Sequence, residues 1–258
     1  MESLILSHNL GNGIVRLTLN RPQAFNALSA GMLDALQAEL DRLDQDADAR
    51  IVILAAAGKA YCTGHDLREM RADPSQQYYE RLFATCAKMM MTIQRLSKPV
   101  IAEVHGVATA AGCQLVAMCD LAVAAEGSRF AVSGINLGLF CSTPSVALSR
   151  NVSRKHALEM LLTGDFISAE EARDYGLINR VVPADALQSA TEALAQRIVA
   201  KPQIAIEMGK RLFYAQLETG IEQAYQLAGE TMACNMMHPD TLEGVQAFLE
   251  KRPPSWTR

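Results

Sequence analysis

The chain has 258 residues, of which 50% are hydrophobic and 20% are charged, as in a globular protein with a sizeable core. Its 24 basic and 28 acidic residues give a net charge of −4, and no basic run occurs, so the sequence gives no reason to expect a nucleic-acid partner. No apolar stretch approaches the roughly 18 uncharged residues of a membrane span, and residues 1–4 resemble neither a signal peptide nor a transit peptide.

Six cysteines are present, but none forms a CxxC pair, and their spacing fits neither a disulfide framework nor a zinc site. Several lie in apolar surroundings, which is typical of buried free thiols. The sequence therefore predicts a protein of the reducing cytoplasm that binds neither a metal nor a membrane.

The first third of the chain is predicted to contain three strands and one helix. Residues 4–7 and 14–19 are β-prone runs joined across a Gly-Asn-Gly turn at residues 11–13, which indicates a hairpin. Residues 51–54 form a continuous apolar run, typical of a strand that is covered on both faces. Ser29 is suited to cap a helix whose apolar residues recur at spacings of three and four, namely Leu33, Leu36, Leu40 and Leu43.

The next elements repeat the order strand, strand, helix, which does not fit a plain doubly wound sheet. A helix is predicted over residues 76–96, strands over 100–104 and 121–125, and an Ala- and Gly-rich segment lies between the strands. From about residue 142 the pattern is helical, with a capping box at residues 168–171. We predict an α/β core over residues 1–190 and a helical C-terminal region over residues 191–258.

Three segments combine turn residues with the start of a helix, where free N–H groups are available to a ligand. They are residues 19–28, residues 59–67 and residues 106–115. Small side chains let a ligand approach the main chain closely, and two helix N-termini that each present an amide to one oxygen would form an oxyanion hole. Each segment alone is a weak signal, because small residues in a loop more often serve packing.

Together, and in this order, the segments resemble the crotonase (enoyl-CoA hydratase/isomerase) superfamily along nearly the whole chain. The matching motifs are Asn20-Arg21-Pro22, Asn26-Ala27-Leu28, Gly64-His65-Asp66-Leu67, Lys98-Pro99-Val100-Ile101-Ala102, Gly112-Cys113-Gln114-Leu115, Cys119-Asp120, Leu162-Thr163-Gly164 and Phe248-Leu249-Glu250-Lys251-Arg252. Residues 134–144 are similar to the enoyl-CoA hydratase domain-containing protein 3 type. The resemblance implies a spiral core of repeated ββα units, a helical C-terminal trimerisation region, and a homotrimer or dimer of trimers.

The resemblance also implies an acyl-CoA thioester as the bound partner, with CoA as part of the substrate and no other cofactor. The two amides of the oxyanion hole fall on His65 and Ala111. Asp66 matches a position that braces the loop, and Lys59, Arg68 and Lys251 match positions that often hold the CoA phosphates. The full set matched to CoA binding is Gln23, Ala24, Phe25, Lys59, Asp66, Leu67, Arg68, Gly112 and Lys251.

The chain departs from the family at the two glutamates with which a hydratase adds water to the enoyl double bond. One group has to activate water and an acid has to protonate the α-carbon. Gln114 and Gly134 occupy these positions, and neither exchanges a proton near neutral pH. The candidate catalytic side chains are therefore Gln114, His65 and Asn136, of which Asn136 could orient a water or a carboxylate. Each also has a purely structural interpretation, as a wall, loop or bracing residue.

The expected function is an acyl-CoA enzyme of the hydratase/isomerase type that polarises the thioester carbonyl with an altered acid/base set. His65 also resembles a histidine of the methylmalonyl-CoA decarboxylases, although the tyrosine that accompanies it there corresponds to about Cys141 here. A decarboxylase or hydrolase of a CoA thioester, and a non-catalytic acyl-CoA-binding protein, stay open as alternatives. Cys141 is disfavoured as a nucleophile, because buried cysteines are inert without a lowered pKa.

Overall fold

The computed structural model describes residues 3–256 of the chain. Residues 1, 2, 257 and 258 lie outside the described residues. The predicted domain ranges 1–190 and 191–258 include these four residues, and the segment 1–4 that was compared with targeting peptides includes residues 1 and 2.

Nine strands form two sheets within residues 3–256. They are β1 (Ile5–Asn9), β2 (Ile14–Leu19), β3 (Ile51–Ala56), β4 (Val100–Val104), β5 (Val107–Thr109), β6 (Leu121–Ala125), β7 (Arg129–Ala131), β8 (Ile167–Ser168) and β9 (Arg180–Val182). The larger sheet has the order β1-β2-β3-β4-β6-β9, in which β1 is antiparallel to β2 and the other neighbours are parallel. The smaller sheet has the order β5-β7-β8, with β8 antiparallel to β7. The predicted hairpin is confirmed by the β1–β2 pairing.

Eleven α-helices are found in the part of the chain that the structure describes. They are α1 (Ala30–Gln45), α2 (Leu67–Ala72), α3 (Gln76–Arg95), α4 (Ala111–Met118), α5 (Ser142–Asn151), α6 (Arg154–Thr163), α7 (Ala169–Asp174), α8 (Leu187–Val199), α9 (Gln203–Leu217), α10 (Ile221–Met236) and α11 (Pro239–Leu249). Local signals predicted several of their ends. The Ser29 hydroxyl accepts from the N–H of Met32, and Ser168 and Glu171 form the predicted capping box.

The core is a spiral of ββα turns, as the resemblance implied. The strand pair β4 and β5 is followed by α4, and the pair β6 and β7 leads into α5. The turn that starts with β3 repeats the pattern, because Cys62 forms an isolated parallel bridge with Ala108 of β5. Each turn therefore adds one strand to the larger sheet and one strand or bridge to the smaller sheet.

Side chains of the central strands alternate between two apolar clusters. In β3, Val52 and Leu54 join the main cluster, which includes the predicted α1 face of Leu33, Leu36, Leu40 and Leu43. Ile51 and Ile53 point the other way and pack in a second cluster with Leu187 and Leu194 of α8. Since successive residues of a strand face opposite sides, the continuous apolar run at residues 51–54 is explained by burial on both faces.

The predicted domain boundary at residue 190 lies inside α8, and α8 packs against the larger sheet through the second cluster. The helices that follow, α9 to α11, leave large apolar side chains exposed. The division into two domains stays a prediction. Within the described residues, no helix combines the length and the apolar character needed to cross a membrane.

Candidate active site

A cavity of about 500 Å³ lies between the loop after β2, the start of α2, the start of α4 and the loop before α5. The structure brings one group of predicted site residues together along its wall: Gln23, Ala24, Phe25, His65, Asp66, Leu67, Arg68 and Ala111. It does not bring the others to this cavity. Those are Lys59, Gly112, Gln114, Asn136 and Lys251, whose predicted roles stay predictions.

The turn at Gly64 packs directly against the start of α4. Gly64 has φ +89°, and a Cβ placed on it would lie 2.9 Å from the Cβ of Ala110 and 3.2 Å from the N of Ala111. Only glycine accepts both this conformation and this close approach. Ala110 itself has φ 51° and ψ −122°, a sparsely populated conformation for a residue with a side chain. The main chain entering His65 is therefore held beside the N-terminus of α4.

The backbone N–H groups of His65 and Ala111 donate no hydrogen bond to any acceptor within residues 3–256. Ala111 is the first residue of α4, and a helix provides no acceptor for its first N–H groups. Both residues line the cavity. An oxyanion hole requires two neighbouring N–H groups that have no partner in the protein and belong to the wall of a cavity.

Gly112 serves packing in this structure. A Cβ at Gly112 would lie 2.1 Å from the carbonyl oxygen of Cys62. The first turn of α4 can therefore pack against the main chain of Cys62 only because residue 112 has no side chain. This contact fixes α4 relative to the chain segment that leads to Gly64 and His65.

The loop after β2 is fixed by a buried asparagine. Asn26 donates from Nδ2 to the carbonyl oxygens of Ala57 (2.8 Å) and Ala60 (2.9 Å), and its Oδ1 accepts from the N–H of Arg21 at 2.9 Å. Phe25 and Asn26 both have positive φ, of 50° and 54°. These contacts hold residues 23–25 against the cavity.

Asp66 links this loop to the turn at Gly64. Its Oδ1 accepts from the N–H of Arg68 at 2.9 Å and caps α2, and its Oδ2 pairs with the Arg21 guanidinium at 2.7 Å. Burial acts to raise the pKa of the Asp66 carboxyl, but the hydrogen bonds from Arg21 and from the two N–H groups of α2 together lower it below its ordinary value. In its ionised form Asp66 therefore ties the loop after β2 to the start of α2.

The His65 imidazole is held as a neutral ring. Nδ1 lies 3.4 Å from the carbonyl oxygen of Leu28, and the ring meets Phe83 edge-on with centroids 5.5 Å apart. Because a carbonyl oxygen only accepts, this contact favours the tautomer with the proton on Nδ1. Nε2 is buried and has no partner among the described residues. Burial lowers the pKa of the imidazole, against a weaker opposing effect of the Leu28 contact.

Gln114 lies one turn after Ala111 on α4 and is 5% exposed. Its Oε1 is buried without a hydrogen-bond partner within the described part of the chain. A buried amide oxygen without a donor carries a desolvation penalty. Gln114 is thus a deeply buried, neutral side chain on α4, and it lies outside the cavity wall.

Gly134 lies at a place that leaves no room for a side chain. A Cβ there would be 2.6 Å from the carbonyl oxygen of Leu139 and 2.8 Å from Sγ of Cys141. The Cys141 thiol accepts from the N–H of Gly134 at 3.3 Å, and burial raises its pKa. The loop before α5 therefore fills the space from which a glutamate side chain at position 134 would start, and Cys141 is a neutral thiol.

The other predicted residues have structural surroundings. Asn136 is exposed, and its Nδ2 donates to the carbonyl oxygen of Gly164 at 3.4 Å, which braces the loop. The main chain of Lys59 packs against Gly106, where an added Cβ would lie 2.2 Å from the Lys59 carbonyl oxygen. Lys59 and Lys251 are exposed. None of the three lines the cavity of residues 3–256.

Sequence reasoning missed most of the apolar wall of the cavity. Met70 and Phe83 lie on α2 and α3, where apolar residues are expected to belong to the core, so no signal distinguishes them. The missed residues just before α5 did leave a signal in the sequence, because a run of large apolar side chains that continues neither a predicted helix nor a predicted strand is unusual. They are Leu137, Leu139 and Phe140.

The amino-acid sequence matches the enoyl-CoA hydratase/isomerase family over residues 9–258. The match covers nearly the whole chain, so the chain belongs to the enoyl-CoA hydratase/isomerase family, as its motifs indicated.

Relatives and solved structures agree with this assignment. Enoyl-CoA hydratase domain-containing protein 3, mitochondrial, is 47% identical in Xenopus laevis over 246 residues, covering 95% of this chain and 84% of the relative. The human protein of that name is 45% identical, covering 95% and 81%. A crystal structure of an enoyl-CoA hydratase of Mycobacterium smegmatis superposes with a TM-score of 0.98 at 64% identity, covering 99% of both chains. The human domain-containing protein 3 structure gives a TM-score of 0.94 at 44% identity, covering 98% and 100%.

The prediction of a cytoplasmic location is wrong by this comparison. The relatives from Xenopus laevis, Mus musculus and Homo sapiens are named as mitochondrial proteins. The prediction rested on free cysteines, which indicate a reducing environment but do not distinguish one reducing compartment from another.

Proposed function

We propose that the chain is an acyl-CoA enzyme that binds the thioester carbonyl oxygen between the N–H groups of His65 and Ala111. The observation that supports this most strongly is that two residues lining the cavity, His65 and Ala111, have backbone N–H groups without a partner among residues 3–256. A developing enolate oxygen would accept from both of them. Because a single donor of this kind typically contributes about 10²–10³ in rate, carbonyl polarisation alone would give substantial catalysis.

The CoA moiety is proposed to lie along residues 23–25, whose loop is fixed by Asn26, with Arg68 near its phosphates. No cofactor besides the CoA of the substrate is proposed. Calorimetry with butanoyl-CoA should show saturable binding that EDTA leaves unchanged, and free CoA should bind more weakly because it lacks the carbonyl. Absence of binding at millimolar butanoyl-CoA would remove the proposal.

Carbonyl polarisation has a direct spectroscopic test. In butanoyl-CoA labelled with ¹³C at the thioester carbonyl, hydrogen bonds from two amides should lower the C=O stretching frequency on binding. The matched reference is the same compound in water. A bound thioester whose carbonyl frequency does not fall below that in water would show that the two N–H groups do not contact the oxygen.

The acid/base chemistry is proposed to differ from that of a two-glutamate hydratase. Gln114 and Gly134 supply no exchangeable proton, and each general acid or base typically contributes about 10²–10⁴-fold. Hydration of crotonyl-CoA should therefore be slower by orders of magnitude than in a relative with both glutamates. Comparable turnover would show that the acid/base groups lie elsewhere.

A second candidate is a CoA-thioester hydrolase or decarboxylase that uses His65. It is favoured by one observation, the neutral imidazole in the cavity wall with an unpartnered Nε2. A panel of enoyl-, malonyl- and saturated acyl-CoA thioesters, read by mass spectrometry, would distinguish hydration, decarboxylation and hydrolysis. Binding without any product would instead identify a non-catalytic acyl-CoA-binding protein.

The chain is also proposed to assemble as a homotrimer or a dimer of trimers. The C-terminal helices support this, because Tyr225 and Phe248 are 74% and 82% exposed, and exposed large apolar side chains in one region are typical of an interface. Sedimentation equilibrium should give three or six chains per particle. Phe248→Asp should lower that number, whereas Leu162→Asp on α6 should not.

A further inference from the structure

Two hydroxyl groups form a pair beside the N-terminus of α4. Thr109 ends β5, and its Oγ1 lies 2.8 Å from Oγ of Ser133, the first residue of a short 3₁₀ helix (Ser133–Leu137). Thr109 is 8% exposed, and its hydroxyl has no other partner among residues 3–256. Ser133 is one of the residues that line the cavity. The pair therefore connects the buried end of β5 to the cavity wall.

The burial of Thr109 decides which of the two hydroxyls donates. Each hydroxyl carries one proton and can also accept. If Ser133 donated, the proton of the buried Thr109 hydroxyl would have no acceptor in the described part of the chain, and a buried donor without a partner is costly. Thr109 therefore donates to Ser133. The proton of the Ser133 hydroxyl is left for a group in the cavity.

The hydroxyl pair lies close to the proposed position of the thioester oxygen. Thr109 precedes Ala111 by two residues, a span of at most about 7 Å along the chain. The N–H of Ala110 donates to the carbonyl oxygen of Ala131 at 3.0 Å, so the segments that carry Ala111 and Ser133 run side by side. The acyl carbons nearest the thioester, the α- and β-carbons, are therefore the ones whose substituents this hydroxyl can reach.

We infer that the Ser133 hydroxyl donates a hydrogen bond to an oxygen substituent, hydroxyl or oxo, on the α- or β-carbon of the acyl group, and that Thr109 positions it. This inference rests on the proposed binding of the thioester oxygen at His65 and Ala111, and it names the substrate class of that site as a hydroxyacyl- or oxoacyl-CoA. Because a donor left unpaired in the complex is unfavourable, the site should favour such an acyl group over one that lacks the oxygen.

Calorimetry on the full chain tests this preference with butanoyl-CoA, 2-hydroxybutanoyl-CoA and 3-hydroxybutanoyl-CoA, each enantiomer measured separately. One hydrogen bond typically changes affinity by about twofold to tenfold, so at least one hydroxybutanoyl-CoA should bind by that factor more tightly than butanoyl-CoA. The compound that gains affinity identifies the carbon that carries the oxygen. Mass spectrometry of the recovered ligand verifies that it was bound unchanged.

Substitutions at the pair separate binding from stability. Ser133→Ala should abolish the preference and leave the affinity for butanoyl-CoA within about twofold. It should also lower the urea midpoint, because the buried Thr109 hydroxyl loses its acceptor. The double variant Thr109→Val with Ser133→Ala removes both hydroxyls, so the midpoint should recover while the preference stays absent. The matched control is Ser145→Ala on α5, where a half-buried serine donates to the Ser142 carbonyl oxygen at 2.7 Å, and it should keep the preference.

The positioning role of Thr109 has its own test. Thr109→Val keeps Ser133 but removes the donor that orients its hydroxyl, so the preference should fall at least about twofold. Thr109→Ser keeps a hydroxyl at this position and should retain the preference. If Thr109 served packing alone, both variants would change the urea midpoint and neither would change the preference.

The outcomes distinguish this inference from the proposed function. The inference is overturned, and the proposed function stands, if no hydroxybutanoyl-CoA binds more tightly than butanoyl-CoA, or if the double variant keeps the preference. Equal weakening of all the thioesters by Ser133→Ala also overturns it, because the hydroxyl would then hold a water and not an acyl oxygen. Failure of every thioester to bind overturns the proposed function and the inference together.

Discussion

At the scale of single residues, His65 combines two separable contributions to the site. Its backbone N–H is proposed to contact the thioester oxygen whatever the side chain, while its imidazole packs on Phe83 and contacts the Leu28 carbonyl. A substitution that keeps the backbone can therefore remove one contribution and leave the other. This makes the residue a direct test of how much of the chemistry depends on the side chain.

We predict that His65→Ala folds normally and binds simple acyl-CoA with little loss, because the N–H group is retained. Activity on the true substrate should fall, since histidine is the side chain that titrates nearest neutral pH. Thermal unfolding, butanoyl-CoA calorimetry and product formation on the best member of the thioester panel would be measured together. His8→Ala on the exposed β1 is the control. Full activity of His65→Ala would return the side chain to a packing role.

Gly112 and Gly229 both lie within helices but differ in their surroundings. A Cβ at Gly112 would be 2.1 Å from the carbonyl oxygen of Cys62, whereas a Cβ at Gly229 meets nothing within 4 Å among the described residues. The same substitution should therefore have opposite effects on stability at the two positions.

We predict that Gly112→Ala lowers the free energy of unfolding by about 1–3 kcal/mol or more, as overpacking against fixed backbone does. It should also weaken acyl-CoA binding, because α4 carries the N–H of Ala111. Gly229→Ala on the exposed side of α10 should raise the free energy of unfolding by up to about 1 kcal/mol. Urea titrations of both variants check this. Equal effects at the two positions would contradict the steric explanation.

At the residue scale, backbone features of the site could be predicted from the sequence, but the directions of its side chains could not. The glycines at the tight turns could be located because each matched motif has a local backbone requirement that only certain residues meet, whereas the oxyanion role of the His65 and Ala111 amides stays a prediction. The positions of Gln114 and Asn136 could not be predicted, since side-chain direction depends on tertiary packing. Asn136 turns toward Gly164, which is 28 residues further along the chain and adjacent only in the folded structure.

At the scale of elements, the long helices and central strands were predictable and the short strands were not. The α1 face and the apolar run of β3 each give a periodic pattern within one segment. β5, β7 and β8 contain two or three residues each, too few for a period. They exist because the spiral places them side by side, as the Cys62–Ala108 bridge illustrates.

The short helix α2 depends on one residue for its start. Asp66 caps it and also pairs with Arg21. We predict that Asp66→Ala lowers the free energy of unfolding by about 1 kcal/mol more than Asp66→Asn does, because asparagine is as good a cap as aspartate and alanine is a poor one. Urea titrations of the two variants measure the difference. Indistinguishable curves would show that the cap contributes nothing and that the ion pair alone matters.

At the scale of the whole molecule, the C-terminal helices are joined to the core by a buried polar cluster. Lys210 of α9 donates to the carbonyl oxygens of Ile93 (2.9 Å) and Lys98 (3.0 Å) and to Asp120 at 2.7 Å. The Asp120 carboxylate also accepts from the hydroxyl of Tyr214 and the N–H of Val100. This cluster, which joins the two predicted domains across the boundary at residue 190, could not be predicted from the sequence, because its members are up to 117 residues apart.

We predict that Lys210→Met destabilises the protein by about 3–5 kcal/mol, because it leaves the Asp120 carboxylate buried without its counter-charge. The control is Arg150→Met, which removes an ion pair between α5 and the end of α9 at Glu218. Both side chains of that pair are more than half exposed, so its loss should cost about 1 kcal/mol or less. Urea unfolding gives the two values, and hydrogen exchange in α9 shows whether the helix opens before the core. If Lys210→Met costs no more than Arg150→Met, the buried cluster does not hold α9 to the core, and its apolar contacts with α10 and the core must do so.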